Sequence, residues 1–167
     1  MDYEKTSDYL NKIVFNFPYI FSAITLSYLL YRTFYNKKHF VFCVFFIAGF
    51  FANKEISKTL KLYFKASRPK ENEQAPEENN PEKYGFPSGH AQVLFFAISF
   101  LLCSVFYLEP KRFKLFFILS SFFGIATCVQ RWITHMHTIQ QLLGGIFFGS
   151  LVGTSIFMIS KMFYSFM

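Results

Sequence analysis

The chain has 167 residues, enough for one domain spanning 1–167, of which 53% are hydrophobic and 22% aromatic, with a net charge of +7. Apolar residues held in long blocks broken by few charges exclude an ordinary soluble domain. The basic residues flank those blocks instead of forming a patch, which points to a membrane surface and away from nucleic acid.

The first sixteen residues are polar and acidic, with no cleaved-signal pattern, and gain Ile13, Val14 and Phe15 near their end. They suit a short interfacial helix. A spanning helix needs about 20 mostly apolar residues. Five segments qualify: 17–35, 40 to about 62, 88–108, 113–132 and 138–163. The fold expected is therefore an all-α integral-membrane helical bundle. Cys43, Cys103 and Cys128 lie inside the apolar runs, so they read as packing residues and not as a disulfide or zinc framework. The 26 phenylalanines read as lipid-facing filler.

One connection is long. Residues 65–87 are rich in Glu, Asn and Pro and cannot bury enough apolar surface to fold alone, so they form an extramembrane loop. The acidic stretch within it, 71–82, reads as hydrated charge, with a lid or metal site as the alternative. Five spans put this loop and the connection at 132–138 at the same membrane face. The opposite face carries Arg32, Lys37, Lys38, Lys111, Arg112, Lys114 and Lys161 against the single acid Glu109. Short basic connections face the cytoplasm, so the long loop is expected on the extracytoplasmic (lumenal or periplasmic) side. In the last span Gly145, Gly149 and Gly153 make a stripe that lets a neighbouring helix approach closely.

Three segments at the loop face carry chemistry. The tail of the second span places Lys54, Lys58, Lys61 and Lys65 on one helix face, where lysines commonly snorkel to lipid headgroups. Arg68 breaks that pattern, because Pro69 takes it out of the helix. Lys61 and Arg68 can then converge on one anion, one as a point charge and the other as a planar fork. The next segment, Pro87-Ser88-Gly89-His90, opens the third span. Ser88 is an N-cap candidate, and the free N–H groups of a helix start form a phosphate cradle that a side-chain-free Gly89 leaves open. His90 stands beside whatever the cradle holds. In the third segment Arg131 ends one span and His137 precedes the next, with Gln141 one turn later. A nucleophilic imidazole needs one ring nitrogen held by an acceptor, and the Gln141 carbonyl can serve. His135, two residues away, is read as a bystander.

Taken together these residues resemble the type 2 phosphatidic acid phosphatase superfamily, which shares its site with vanadium haloperoxidases and bacterial acid phosphatases. Its first signature, Lys then six residues then Arg-Pro, reads here as Lys61 to Arg68-Pro69. Its second, Pro-Ser-Gly-His, is unchanged at 87–90. Its third, Ser-Arg, five residues, His, three residues, Asp, reads as Gln130-Arg131, His137 and Gln141. Glutamine in place of the serine and the aspartate departs from the pattern, and the second change removes a charge that would stabilise an imidazolium. On the resemblance alone, Gln141→Asp restores the usual residue and is expected to keep or raise activity. Glutamine at that place looks like the dolichyldiphosphatase and glucose-6-phosphatase branches, and the run from Tyr84 to Gln92 and the pair His137-Thr138 look most like dolichyldiphosphatases.

The resemblance implies that Lys61, Arg68 and Arg131 clamp phosphate oxygens, with Ser88 and the Gly89 N–H completing the cradle. It implies that His137 attacks phosphorus to form a phosphohistidine, that His90 protonates the leaving oxygen and later activates water, and that Gln141 orients His137. No metal or other cofactor enters this scheme. The substrate class implied is a lipid phosphate or diphosphate in the bilayer, with a polyprenyl or dolichyl diphosphate favoured. Phosphatidate or phosphatidylglycerophosphate hydrolysis, lipid phosphotransfer and a catalytically degenerate lipid-phosphate scaffold are the alternatives. Oligomeric state is left open.

Overall fold

The computed structural model describes residues 3–69 and 80–167, and it is helical throughout except for connections. Five long helices run in chain order: α1 (Tyr3–Tyr35), α2 (Phe40–Phe64), α3 (Gly89–Leu108), α4 (Phe113–Ile133) and α5 (Ile139–Phe166). All five are long and apolar enough to cross a bilayer. The segment expected as a short interfacial helix is continuous with the first span in one helix, Tyr3–Tyr35, which carries Pro18 inside it although Pro18 lacks the N–H for one rung of the ladder. Most of the acidic stretch 71–82 lies outside the described residues; its end enters a single 3-10 turn at Pro81–Lys83.

The bundle is built around α3, which packs against each of the other four helices and most extensively against α5. Of its apolar window 61% is buried, against 22–33% for the other spans. The glycine stripe makes the α3–α5 contact possible. A methyl group on Gly145 would fall 2.6 Å from the Ser88 carbonyl oxygen, one on Gly149 would collide with the Gln92 backbone, and one on Gly153 with Phe96 and Ser99. Close backbone approach of this kind is how helices pack where lipid removes the hydrophobic driving force.

Phenylalanine proves to have two uses. Phe34, Phe117, Phe122 and Phe147 are exposed on the outer surface, as lipid-facing residues would be. Phe42, Phe46, Phe96, Phe100 and Phe157 are buried and form a ring-packed core between α2, α3 and α5, with centroids 5.3 Å apart for Phe46 and Phe100 and 5.9 Å for Phe100 and Phe157. These flat, stiff rings fill the space between helices that the small residues leave. One polar lock sits among them: the Gln92 amide donates to Asn53 Oδ1 at 3.1 Å, and both side chains are fully buried. It fixes α2 in register with the first turns of α3.

At the end opposite the long loop, Arg32 of α1 pairs with Glu109 in the α3–α4 connection. The three cysteines are free.

Gly149→Leu should lower the thermal unfolding midpoint in detergent strongly, by the ~1–3 kcal/mol or more that overpacking costs. Phe147→Ala, on the exposed face, should change stability by less than about 0.5 kcal/mol. Equal midpoints for the two variants would remove the close α3–α5 contact from the account.

Candidate active site

Helix termini build the site. The last turn of α2 presents Lys61; the helix then stops at Lys65, which adopts a left-handed conformation (φ 46°) and returns its N–H to the Lys61 carbonyl. The chain continues without regular structure through Ser67, Arg68 and Pro69. α3 starts at Gly89 with Ser88 as its N-cap residue, although the Ser88 hydroxyl makes no capping bond. α4 carries Arg131 in its last turn, and a tight turn follows in which His135 is left-handed (φ 53°) and the His137 N–H returns to the Arg131 carbonyl at 3.3 Å. That turn points His137 back over the end of α4. α5 then begins with a reciprocal capping box: Thr138 Oγ1 accepts from the Gln141 N–H, and Gln141 Oε1 accepts from the Thr138 N–H.

Lys61, Arg68, Gly89, His90, Arg131 and His137 line one cavity of about 260 Å³. Both imidazoles and all three cations expected from the sequence therefore meet in one place. Lys61, Arg131 and His137 are buried. A methyl placed on Gly89 would lie 3.7 Å from the Lys61 Nζ, so the ammonium stands directly beside the bare helix start. Ser88 and Gln141 are buried behind this wall and do not line the cavity. Gln130 is buried too and lies outside the lining.

Several polar atoms around the cavity have no hydrogen-bond partner among the described residues: Arg68 Nε, Ser88 Oγ, His90 Nε2, and Arg131 Nε and Nη2. Leaving a buried donor unpaired costs about 1–3 kcal/mol, more when it is charged. Three cations and a helix N-terminus with spare donors make an anion the fitting guest. Among the described residues no three His, Cys, Asp or Glu side chains gather to hold a metal ion.

Gln141 is the residue that holds His137. Its Oε1 lies 3.2 Å from His137 Nδ1, and its Nε2 donates to the Ser67 carbonyl at 2.7 Å. The carbonyl already takes the Thr138 N–H, so Nδ1 carries the proton and Nε2 is the free nitrogen. Burial, together with the Arg68 guanidinium, pushes the pKa of His137 down to about 3. The ring is thus neutral, as a nucleophile must be.

The structure adds residues that the motifs did not single out. Phe15 of α1 packs edge-on to His90 with centroids 4.6 Å apart, and the Arg131 guanidinium lies 4.4 Å from the same ring centre. Such a cation–π contact orients the guanidinium without neutralising it. Tyr19, Ser57 and Met136 also line the cavity. Glu82 reaches its mouth: its carboxylate is 3.8 Å from Lys61 Nζ and its backbone carbonyl accepts from Arg68 at 2.7 Å. No sequence spacing connects Phe15 or Glu82 to the motifs; only the folded chain brings them there. His135 is not part of the cavity lining.

A helical membrane bundle with two histidines and three cations around one cavity suits the handling of a phosphoryl group. The model of the PAP2 superfamily matches residues 41–165, three quarters of the sequence, and the chain belongs to that superfamily. It is a multi-pass membrane phosphatase. No curated protein matches it in sequence. Among solved structures, the crystal structure of the first transmembrane PAP2 type phosphatidylglycerolphosphate phosphatase from Bacillus subtilis matches with a TM-score of 0.63 and 19% identity, covering 94% of this chain and 77% of that one. The likeness is one of fold.

The two-ended use of the Gln141 amide argues against aspartate serving in its place. Aspartate is one methylene shorter and has no N–H for the Ser67 carbonyl. Gln141→Asp should lower kcat for phosphate release by about ten- to a hundredfold, matching the loss of one buried hydrogen bond. A wild-type rate in that variant would show that charge on His137 matters more than its tether. The depressed pKa of His137 has its own readout. A ring whose folded pKa lies below the ordinary value stays neutral until the pH falls through the lower value. The ¹⁵N signals of His137 in ligand-free protein should therefore remain those of a neutral ring down to about pH 5; a midpoint near 6.5 would contradict the burial argument.

Proposed function

We propose that the protein hydrolyses a lipid phosphate, with a polyprenyl-type diphosphate favoured, through a phosphohistidine on His137. The observation that carries this reading is the convergence of both imidazoles and the partly unpartnered guanidinium groups on one cavity at the end of a membrane bundle. An apolar groove of about 360 Å³ between α1 and α2, lined by Ala23, Leu26, Phe46, Ile47, Phe50 and Phe51, supports a lipid substrate. It meets the polar cavity at Tyr19, which lines both.

In the proposed reaction, Lys61, Arg68 and Arg131 hold the equatorial oxygens of the transferred phosphoryl group, aided by the Gly89 N–H. The free Nε2 of His137 bonds to phosphorus as the bond to the leaving oxygen breaks, the bridging oxygen in a diphosphate. His90, which takes up a proton when the anionic phosphate binds beside it, gives that oxygen its proton. Water then attacks the phosphohistidine. His90 takes the water's proton, the N–P bond breaks, and phosphate leaves with His137 neutral again. The scheme uses no metal. Gln141 and Phe15 act through the groups they position.

The basic connections at the other end of the bundle, Lys37, Lys38, Lys111 and Arg112, favour a cytoplasmic placement for that end. The site then opens on the extracytoplasmic face. A phosphatidylglycerophosphate headgroup is the second reading, favoured by the fold shared with the Bacillus subtilis enzyme.

The test is phosphate release by the purified chain in detergent with chelator, across a panel of lipid mono- and diphosphates. Activity should persist in chelator and fall to background in His137→Ala and in His90→Ala. Binding of lipid phosphates without release would identify a scaffold instead, and full activity in His137→Ala would end the phosphohistidine mechanism.

A further inference from the structure

The motif lysine is one of four α2 side chains on the cavity wall. Lys54, Ser57, Lys58 and Lys61 all line it, at spacings that place them on a single helix face. At 1.5 Å per residue, Ser57 and Lys58 lie roughly one turn deeper in the bundle than Lys61, and Lys54 about 10 Å deeper. Snorkelling accounts for a lysine that climbs to the headgroups. It does not account for two more that line the same polar cavity as Lys61, below it and away from the helix end. An ionisable residue inside a span is costly and marks a functional path.

Ser57 is buried, and its hydroxyl shares the Gly89 helix start with Lys61: a methyl on Gly89 would lie 3.7 Å from Ser57 Oγ as well. The Asn53–Gln92 lock, one turn earlier on α2, fixes this register. Lys58 bonds Glu55 at 2.6 Å, with both side chains exposed, so a single carboxylate holds its ammonium and a multivalent anion can displace it. Lys54 lies over the Phe50 ring, 5.9 Å from its centre. Phe50 itself lines the apolar groove, so Lys54 marks the seam between the polar cavity and that groove.

Along α2 the order is therefore Lys61 beside the two histidines, then Ser57 and Lys58, then Lys54, then hydrocarbon-lined groove. A lipid diphosphate presents its groups in the same order: terminal phosphate, bridging phosphate, apolar tail. We propose that Ser57, Lys58 and Lys54 hold the non-transferred phosphate of a lipid diphosphate, so that this strip sets the preference for diphosphate over monophosphate lipids. The inference rests on the reading of the cavity as a lipid phosphatase site and specifies its substrate class.

The experiment compares farnesyl diphosphate with farnesyl phosphate as substrates of the full chain in detergent, using wild type, Ser57→Ala and the double variant Lys54→Met, Lys58→Met. The ratio of kcat/KM for diphosphate to monophosphate is independent of the fraction of protein that is folded. It should favour diphosphate by about tenfold or more in wild type and fall by about tenfold in the double variant. A measurement on wild type alone stands beside it: inorganic pyrophosphate should inhibit farnesyl phosphate hydrolysis about tenfold more tightly than inorganic phosphate. An unchanged ratio in the double variant, or pyrophosphate no tighter than phosphate, overturns the second-phosphate site while leaving the phosphatase reading intact. No release from either lipid by wild type removes both.

Discussion

Gln141 holds together three of the segments that frame the cavity. Its side-chain carbonyl holds the His137 ring and the first N–H of α5, and its side-chain amide holds the Ser67 carbonyl next to Arg68. Its backbone carbonyl accepts from the Ser88 N–H at 2.9 Å, at the start of α3. One residue thus ties the loop after α2, the start of α3 and the turn before α5 into a single wall. An aspartate could hold the imidazole but could not also donate to Ser67. The glutamine reads less as the loss of a charge than as a different way of fixing the same ring, with structure gained at the neighbouring loop.

That wall confines positive charge where water is scarce. Lys61 and Arg131 are buried, Arg68 is half-buried, and the helix N-terminus of α3 adds its partial charge. The bundle tolerates this because the cations are held by unlike devices: Glu82 beside Lys61 and Arg68, the Phe15 ring under Arg131, and the neutral state of His137. An anion that satisfies the spare donors relieves the repulsion between them. Electrostatic preorganisation of this sort supplies much of the stabilisation of a transferring phosphoryl group.

Much of the frame was legible in the chain itself. Apolar blocks of spanning length gave five helices, and the parity of five crossings put the three motif segments at one end. The tail of α2, the start of α3 and the turn before α5 lie where the spacing placed them. What could not be read was anything that depends on which helix faces which. Phenylalanine has the same composition signal whether it meets lipid, as Phe147 does, or fills the core, as Phe96 does. That the N-terminal segment is continuous with the first span could not be read either, because polarity changes along residues 3–16 while α1 runs on.

The sequence by itself determined the class of solvent, the number of crossings and the chemical groups at one membrane face, because length, hydropathy and local motif spacing act over a few turns of chain. Only the tertiary structure decided that Phe15 of the first helix lies against His90, that Gln141 reaches Ser67, and that Lys54, Ser57 and Lys58 share a cavity with Lys61. Those contacts join residues far apart in sequence, or separate one face of a helix from another. They follow from the close approach of α3 and α5 and from the rotation of each helix about its axis, which packing sets and periodicity alone leaves free.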